Sequence, residues 1–295
     1  MKLLLKFNLI FLAVFGAGLA LASYLVDQSL KADAKREVID QARLMMETTM
    51  STRTYTSKQI KPLLEPLLRR ADEFIPQTVP AFSATEVFGY LHQKYPDYYY
   101  KEAALNPTNP RDLTVDWEAD VVNDFRAHPD KSEFIGERET PSGRSVFFAR
   151  PIQIHDAGCL ECHSTYARAP KSQLKSYPSG TGFGWHLNEI IGAQIVSVPM
   201  AVPMRVAEDG LKKFLVYLGA IAVLTLCVLD LVLFYTVIRP VSRLSSMADE
   251  ISKGNMNVEE LPVKGKDEIS VLASSFNRMH RSLRRAMSML EGDES

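Results

Sequence analysis

Two apolar blocks constrain this 295-residue chain more than any other feature. The first, Leu9 to Val26, reads LIFLAVFGAGLALASYLV and follows a short basic start with Lys2 and Lys6. The second, Phe214 to Ile238, reads FLVYLGAIAVLTLCVLDLVLFYTVI and carries a single charge, Asp230. A helix needs about 20 apolar residues to cross the roughly 30 Å hydrocarbon layer, and the second block meets that length. The first block reads as a retained membrane anchor, because the apolar stretch runs on through Tyr24-Leu25-Val26. A cleavable signal peptide is the competing reading, since Ala20-Leu21-Ala22 offers small residues behind an apolar core. Either way, the polypeptide between the blocks is sent across the membrane. Local charge does not fix sidedness: Arg239 and Arg243 follow the second block, Lys212 and Lys213 precede it, and long loops translocate largely regardless of charge. The formal net charge of -1 predicts no nucleic-acid partner.

The expected organisation follows from these spans. A short N-terminus covers 1–7, a first span 8–26, an extramembrane domain 27–213, a second span 214–238, a helical domain 239–291 and a tail 292–295. Residues 27–68 are rich in Lys, Glu, Arg, Gln and Met, which predicts a long helix continuing from the membrane, kinked or interrupted near its end by Pro62 and Pro66. From 72 to 203 proline, glycine and aromatic residues become frequent, as in a loop-rich α+β core. Its best strands are RSVFFAR (Arg144 to Arg150) and GAQIVSV (Gly192 to Val198), with the glycine-rich loop SGTGFGW (Ser179 to Trp185) between them. Pro199 and Pro203 mark the exit toward a helical Met204 to Lys213. Asp230 is costly in lipid, which calls for a helix partner or a polar contact within a dimer.

After the second block the pattern becomes regular. Val241, Leu244, Ala248 and Ile251 step by three and four residues, and Ile269, Leu272, Phe276, Met279, Leu283, Ala286 and Leu290 do the same. Such a seam on each of two helices is the pattern of coiled-coil packing. The connector SKGNMNVEELPVKGKDE supplies Gly254 and Gly265, with Leu261 and Val263 as expected apolar plugs. An amphipathic hairpin on the membrane surface is the plainer reading. Pro240 just past the span, the connector glycine and Asp267-Glu268 before the second helix resemble a HAMP domain over about Arg239 to Leu290. That resemblance implies a homodimer, with two helices from each chain in a parallel four-helix bundle. It also implies a cytoplasmic position for residues 239–291 and for residues 1–7, and a periplasmic one for 27–213.

Three cysteines occur, and two of them form CLECH with a histidine directly after: Cys159, Cys162 and His163. This is the attachment sequence of c-type haem. Two intervening residues let both thiols add across the porphyrin vinyl groups, and the adjacent histidine falls where its imidazole meets the iron. Rivals stand beside this reading. A structural zinc site needs four ligands, and no second cysteine pair accompanies this one, although His155 is close in sequence. A Cys159–Cys162 disulfide would leave His163 as coincidence. Cys227, inside the second span, reads as a packing residue.

A second resemblance rests on the flanking stretches TYTSKQIKPLL (Thr54 to Leu64), VPAFSATEVF (Val79 to Phe88), YYYKEAALNPTNPRD (Tyr98 to Asp112), CLECHS, Ala169-Pro170 and GFGWHLNEIIGAQIVSVP (Gly182 to Pro199). Together they resemble the periplasmic c-type haem sensor domains, PAS-like in fold, of bacterial HAMP-bearing receptors. The resemblance covers roughly Lys35 to Pro199. It implies an α+β fold with a central antiparallel sheet, helices around it and covalent haem c with its iron against one side. The partner opposite His163 is open among Met50, Met46 and His186, and an exchangeable position able to take a gas molecule. Met46 and Met50 share a helix face, where core or dimer packing is the plainer role. His92, His128 and His155 are further histidines in reach of the same argument. Tyr98, Tyr99 and Tyr100 could line a haem edge, Arg144 or Arg150 could meet a propionate, and the Asn106-Pro107-Thr108-Asn109-Pro110 turn could frame the cofactor.

These readings converge on a two-span receptor of the bacterial inner membrane that senses redox state or a small haem ligand. No constellation of an enzyme active site is present, and the sequence ends at Ser295, directly after the second heptad helix. The expected output is therefore a cytoplasmic signalling partner, a kinase or similar, acting in trans. A membrane-anchored electron-transfer cytochrome is the rival from another class.

Overall fold

The protein is described by a computed structural model over residues 2–68, 73–141, 143–178, 180–263 and 265–292. Asp72 at the start of the expected α+β core, Ser179, Lys264 and residues 293–295 of the expected tail lie outside the described residues, as does the side chain of Leu290. The chain divides into two units, Met1–Tyr24 with Lys212–Ser295, and Leu25–Leu211.

The second unit is built on a four-stranded antiparallel sheet. Helix α1 covers Lys2–Tyr55, α2 Lys61–Leu68, α3 Pro80–Lys94, and strand β1 Tyr99–Ala104. Helix α4 (Asp116–Ala127), strands β2 (Phe134–Thr140) and β3 (Gly143–Gln153), short helices α5 (Leu160–His163) and α6 (Lys171–Ser176), and strand β4 (Ile190–Pro199) follow. The strand order is β1-β4-β3-β2. Strand β4 is buried from Ile190 to Val198, because it lies centrally and both faces of the sheet are covered. This explains why its sequence is mostly apolar without a strict alternation, broken only by the buried Gln194 and Ser197.

Side chains of the two central strands alternate between the two faces. On one face Val146, Phe148, Val196 and Val198 pack against Val38, Ala42 and Met46 of α1 and Ala84 and Phe88 of α3. The α1 residues recur every four positions, so one helical stripe meets the sheet. On the other face Phe147, Ala149, Ala193 and Ile195 pack against Val121, Val122 and Phe125 of α4. A third, smaller cluster of Ala104, Ile154 and Ile191 sits where β1 ends, β3 has ended and β4 begins.

Pro62 shows how the long helix tolerates a breaker. Proline donates no N–H, and its ring crowds the carbonyl one turn earlier. The chain answers with a wider π-helical turn over Thr56–Ile60, after which α2 resumes and carries Pro66 inside it. A second π turn, Phe234–Ile238, precedes Pro240 in the same way.

In the first unit α7 (Ala201–Leu233) continues through that turn into α8 (Arg239–Ser252), and α9 covers Glu268–Gly292. Among the described residues two helices are long and apolar enough to cross a bilayer, and neither apolar window is buried within the protein. Apolar surface of that extent on all sides is unfavourable in water and favourable in lipid. Asp230 has a helix partner: Asn8 Nδ2 donates to its Oδ2 at 3.0 Å.

The C-terminal helices correct one sequence expectation. Within the chain, the buried stripe of α9 is Ser270, Ala273, Asn277 and His280, one residue on from the heptad positions. Asn277 grips the connector with two hydrogen bonds, accepting from Leu261 N at 3.0 Å and donating to Leu261 O at 2.9 Å. His280 Nε2 lies 3.1 Å from Met256 O. Polar hooks thus hold the connector, and Val263, expected as a plug, is exposed. The heptad residues Leu272, Met279 and Leu283 remain 41–48% exposed in the single chain.

Removing the fully buried Phe148 ring is expected to cost about 3–5 kcal/mol. The Leu44→Ala change, at a site 68% exposed, should stay within about 0.5 kcal/mol. Chemical denaturation of the detergent-solubilised chain, followed by circular dichroism, compares Phe148→Ala with Leu44→Ala. Equal losses would contradict the assigned core.

Candidate functional site

The CLECH segment folds into a short double turn. Asp156 accepts from Gly158 N at 2.8 Å and opens a 3-10 turn, Ala157–Cys159, which passes directly into α5. Residues three apart in a helical turn share a face, so Cys159 and Cys162 lie side by side. Both are free and half-buried, and Cys159 and Leu160 pack with Trp185 against the small cluster at the sheet end. Burial pushes both thiols above their ordinary pKa, with Asp156 adding to the rise at Cys159. Arg53 and Lys61 pull the other way at Cys159, which brings the end of α1 and the start of α2 into electrostatic reach of the segment.

His163 is held from three directions. Its Nδ1 lies 2.8 Å from the Gly182 carbonyl oxygen and 3.3 Å from Thr108 Oγ1. A carbonyl has no proton to give, so the hydrogen resides on Nδ1 and Nε2 keeps a free lone pair. Burial lowers the imidazole pKa below its ordinary value, against the pull of the Gly182 carbonyl, and the ring is neutral at pH 7. The ring stacks on Trp185 with centroids 3.8 Å apart and planes at 11°. Backbone bonds tie the same two segments, Trp185 N to His163 O at 3.2 Å and Gly184 N to Ser164 O at 2.8 Å.

The loop that supplies the acceptor is itself locked. Gly182 has φ +81°, and a Cβ there would come within 2.7 Å of Thr108 N. Only glycine meets both demands. Asn106 Oδ1 accepts from Gly182 N at 3.1 Å, and Asn106 Nδ2 donates to Phe183 O at 3.2 Å. The Asn106–Pro110 turn therefore frames this loop. Gln173 was not singled out from sequence; it is buried and donates to Cys162 O at 3.4 Å.

Other candidate residues lie apart from this arrangement. Met46 is fully enclosed in the α1–sheet cluster and Met50 packs at the edge of that cluster, not in the one that borders CLECH. His186 is exposed and faces Glu189, with Nδ1 3.4 Å from Oε2. His92, His128 and His155 are all exposed. The arginines are a correction: Arg144 pairs with Glu137 at 2.6 Å, and Arg150 with Glu47 at 2.6 Å and Glu133 at 2.8 Å. Both fasten elements to one another. The tyrosines likewise serve packing, since Tyr100 is buried against Phe88, and Tyr99 and Tyr100 donate to Glu118 and Glu102. Among the described residues, no group of three or more His, Cys, Asp or Glu side chains could hold a metal ion by themselves.

An α+β domain bearing this locked Cys-x-x-Cys-His turn, two helices of membrane length and a C-terminal helical pair define a membrane-anchored sensor. The chain belongs to the Tll0287-like family, whose model matches residues 31–199. A HAMP domain matches residues 232–285. Among curated proteins, the chain is similar to the sensor histidine kinase WalK of Bacillus subtilis, at 25% identity over 206 residues, 66% of this chain. It is also similar to the sensor histidine kinase MtrB of Mycolicibacterium paratuberculosis, at 36% identity over 73 residues, 25% of this chain. The chain spans 33% of the first kinase and 13% of the second. The crystal structure of the cyanobacterial heme-protein Tll0287 aligns with 55% of this chain and 95% of its own, at 17% identity and a TM-score of 0.42.

Directly after the Asn106–Pro110 turn, burial pushes the Asp112 carboxyl up to about 6, with Glu102 adding and Arg111 and Lys101 opposing. The unfolded carboxyl titrates near 3.8, so the folded state holds a proton between these values that the unfolded state has lost. Stability is expected to fall by on the order of 2–3 kcal/mol as pH rises from about 4 to about 6. In Asp112→Asn that segment of the stability–pH curve should flatten. Denaturation midpoints collected across the window check this, and parallel curves for the two proteins would contradict it.

Proposed function

We propose that this chain is the input half of a transmembrane signalling receptor, with haem covalently attached at Cys159 and Cys162 and its iron bound by His163. The single observation that carries the reading is the state of His163, a neutral imidazole with Nδ1 committed to the Gly182 carbonyl and Nε2 left with its lone pair beside two unpaired thiols. That is the donor set an axial histidine of a c-type haem requires. A haem held by these residues would supply a redox-active iron. The chain's own residues hold the ring edge-on through Gly182, stack it on Trp185 and close the segment against Ile154 and Ile191.

The haem domain occupies the periplasmic side of a bacterial inner membrane and the HAMP helices the cytoplasmic side. Support for the signalling half comes from the HAMP match and from sensor histidine kinases among the relatives. The exposed heptad residues Leu272, Met279 and Leu283 suit a second copy of the chain, giving a homodimer whose bundle presents its state to a kinase-type partner. The stimulus is a change of redox state or of the ligand on iron. To signal, it must bind or strain two arrangements of the domain differently, by about 1–3 kcal/mol.

Protein made in cells able to mature c-type cytochromes should show a haem absorption spectrum and keep haem stain on a denaturing gel. The Cys159→Ala/Cys162→Ala double variant should lose the stain. Reducing the haem, then desalting without air, should alter crosslinking of a Leu272→Cys variant by a non-redox bis-maleimide. Unchanged crosslinking with rapid electron exchange would favour a membrane-anchored cytochrome instead.

A further inference from the structure

The turn at Asn106–Pro110 and the loop at Gly182–Trp185 interlock around one imidazole, although more than seventy residues separate them in sequence. Gly182 lacks a Cβ and adopts a left-handed φ, so nothing intrinsic to the residue fixes the direction of its carbonyl. Two side chains of the turn supply the constraint. Asn106 clamps the loop from both sides, through Gly182 N and Phe183 O. Thr108 closes on the ring itself, its Oγ1 offering Nδ1–H a second acceptor at 3.3 Å.

We infer that Asn106 and Thr108 are positioning residues for the proximal histidine, holding the Gly182 carbonyl on Nδ1–H and thereby setting the reduction potential of the iron that His163 binds. The inference rests on the haem reading above. The physics runs through the hydrogen bond. A well-placed acceptor on Nδ1–H makes the imidazole a stronger donor at Nε2, which favours the oxidised iron and lowers its potential. Releasing the carbonyl weakens that donor, and the potential rises. A loop staple with only a structural role would change stability and leave the potential where it was.

The test is a redox titration, read by absorbance, of the full haem-loaded chain. Asn106→Ala should keep covalent haem and shift the midpoint potential to more positive values. Thr108→Val, which keeps the volume and removes the hydroxyl, should shift it in the same direction by less. Asn109→Ala is the control: it removes a hydrogen bond to Arg111 N within the same turn, with no tie to the glycine loop, and should leave the potential unchanged. Stained Asn106→Ala and Thr108→Val proteins with the wild-type potential overturn the inference alone. Should Asn106→Ala not accumulate as a stained band, Thr108→Val decides by the same criterion. A wild-type chain that takes no stain overturns the haem reading and the inference with it.

Discussion

The hydrogen bond from His163 Nδ1 to the Gly182 carbonyl is the contact on which the rest of the domain's arrangement around the motif depends. It fixes the tautomer, and with it which ring nitrogen is available. The loop that offers this carbonyl needs a glycine at 182, and Asn106 accepts from its N–H. Two backbone bonds, Gly184 N to Ser164 O and Trp185 N to His163 O, staple the two loops together beside it. The imidazole is therefore presented in one orientation before any cofactor chemistry begins.

Beside that preorganised site, buried polar contacts tie the sheet to α1. Glu102, 6% exposed, pairs with Arg53 of α1 and accepts from Tyr100. Burial opposes the charge on Arg53, and Glu102 more than restores it, so the guanidinium stays ionised in a place that shuns charge. Breaking one member of such a pair strands the other, which makes the pair sensitive to its surroundings. Cys159 lies within the electrostatic reach of Arg53. A change of charge at the motif thus reaches the last turn of α1 through Arg53, as well as Asp156 and Lys61. The same helix packs its Val38–Ala42–Met46 stripe on the sheet, so helix and sheet share one face of core.

Much of this was legible in sequence because it is written in short range. The β-branched and aromatic stretches VFFA and IVSV mark the two central strands, and the motif at 159–163 stands out by spacing alone. What escaped were features set by distant segments meeting. Asn106-Pro107-Thr108 read as a rigid turn, but its targets lie past residue 180 and nothing local names them. Arg144 and Arg150 flank a strand, and their carboxylate partners sit on a neighbouring strand, a loop and α1, which sequence spacing does not reveal. Pro62 announced a break, yet a π turn absorbs the missing donor and the helix resumes. In α9 the heptad residues Leu272, Met279 and Leu283 stay partly exposed in the single chain, while the intrachain stripe one residue over is polar except for Ala273 and so carries little apolar signal.

The central claim concerns one peptide. Mass spectrometry of the proteolytic fragment containing Cys159 to His163, from protein matured in competent cells, tests it most directly. The account predicts a fragment heavier by one haem, with both cysteines refractory to alkylation. A fragment of unmodified mass, carrying two alkylatable thiols, would contradict it.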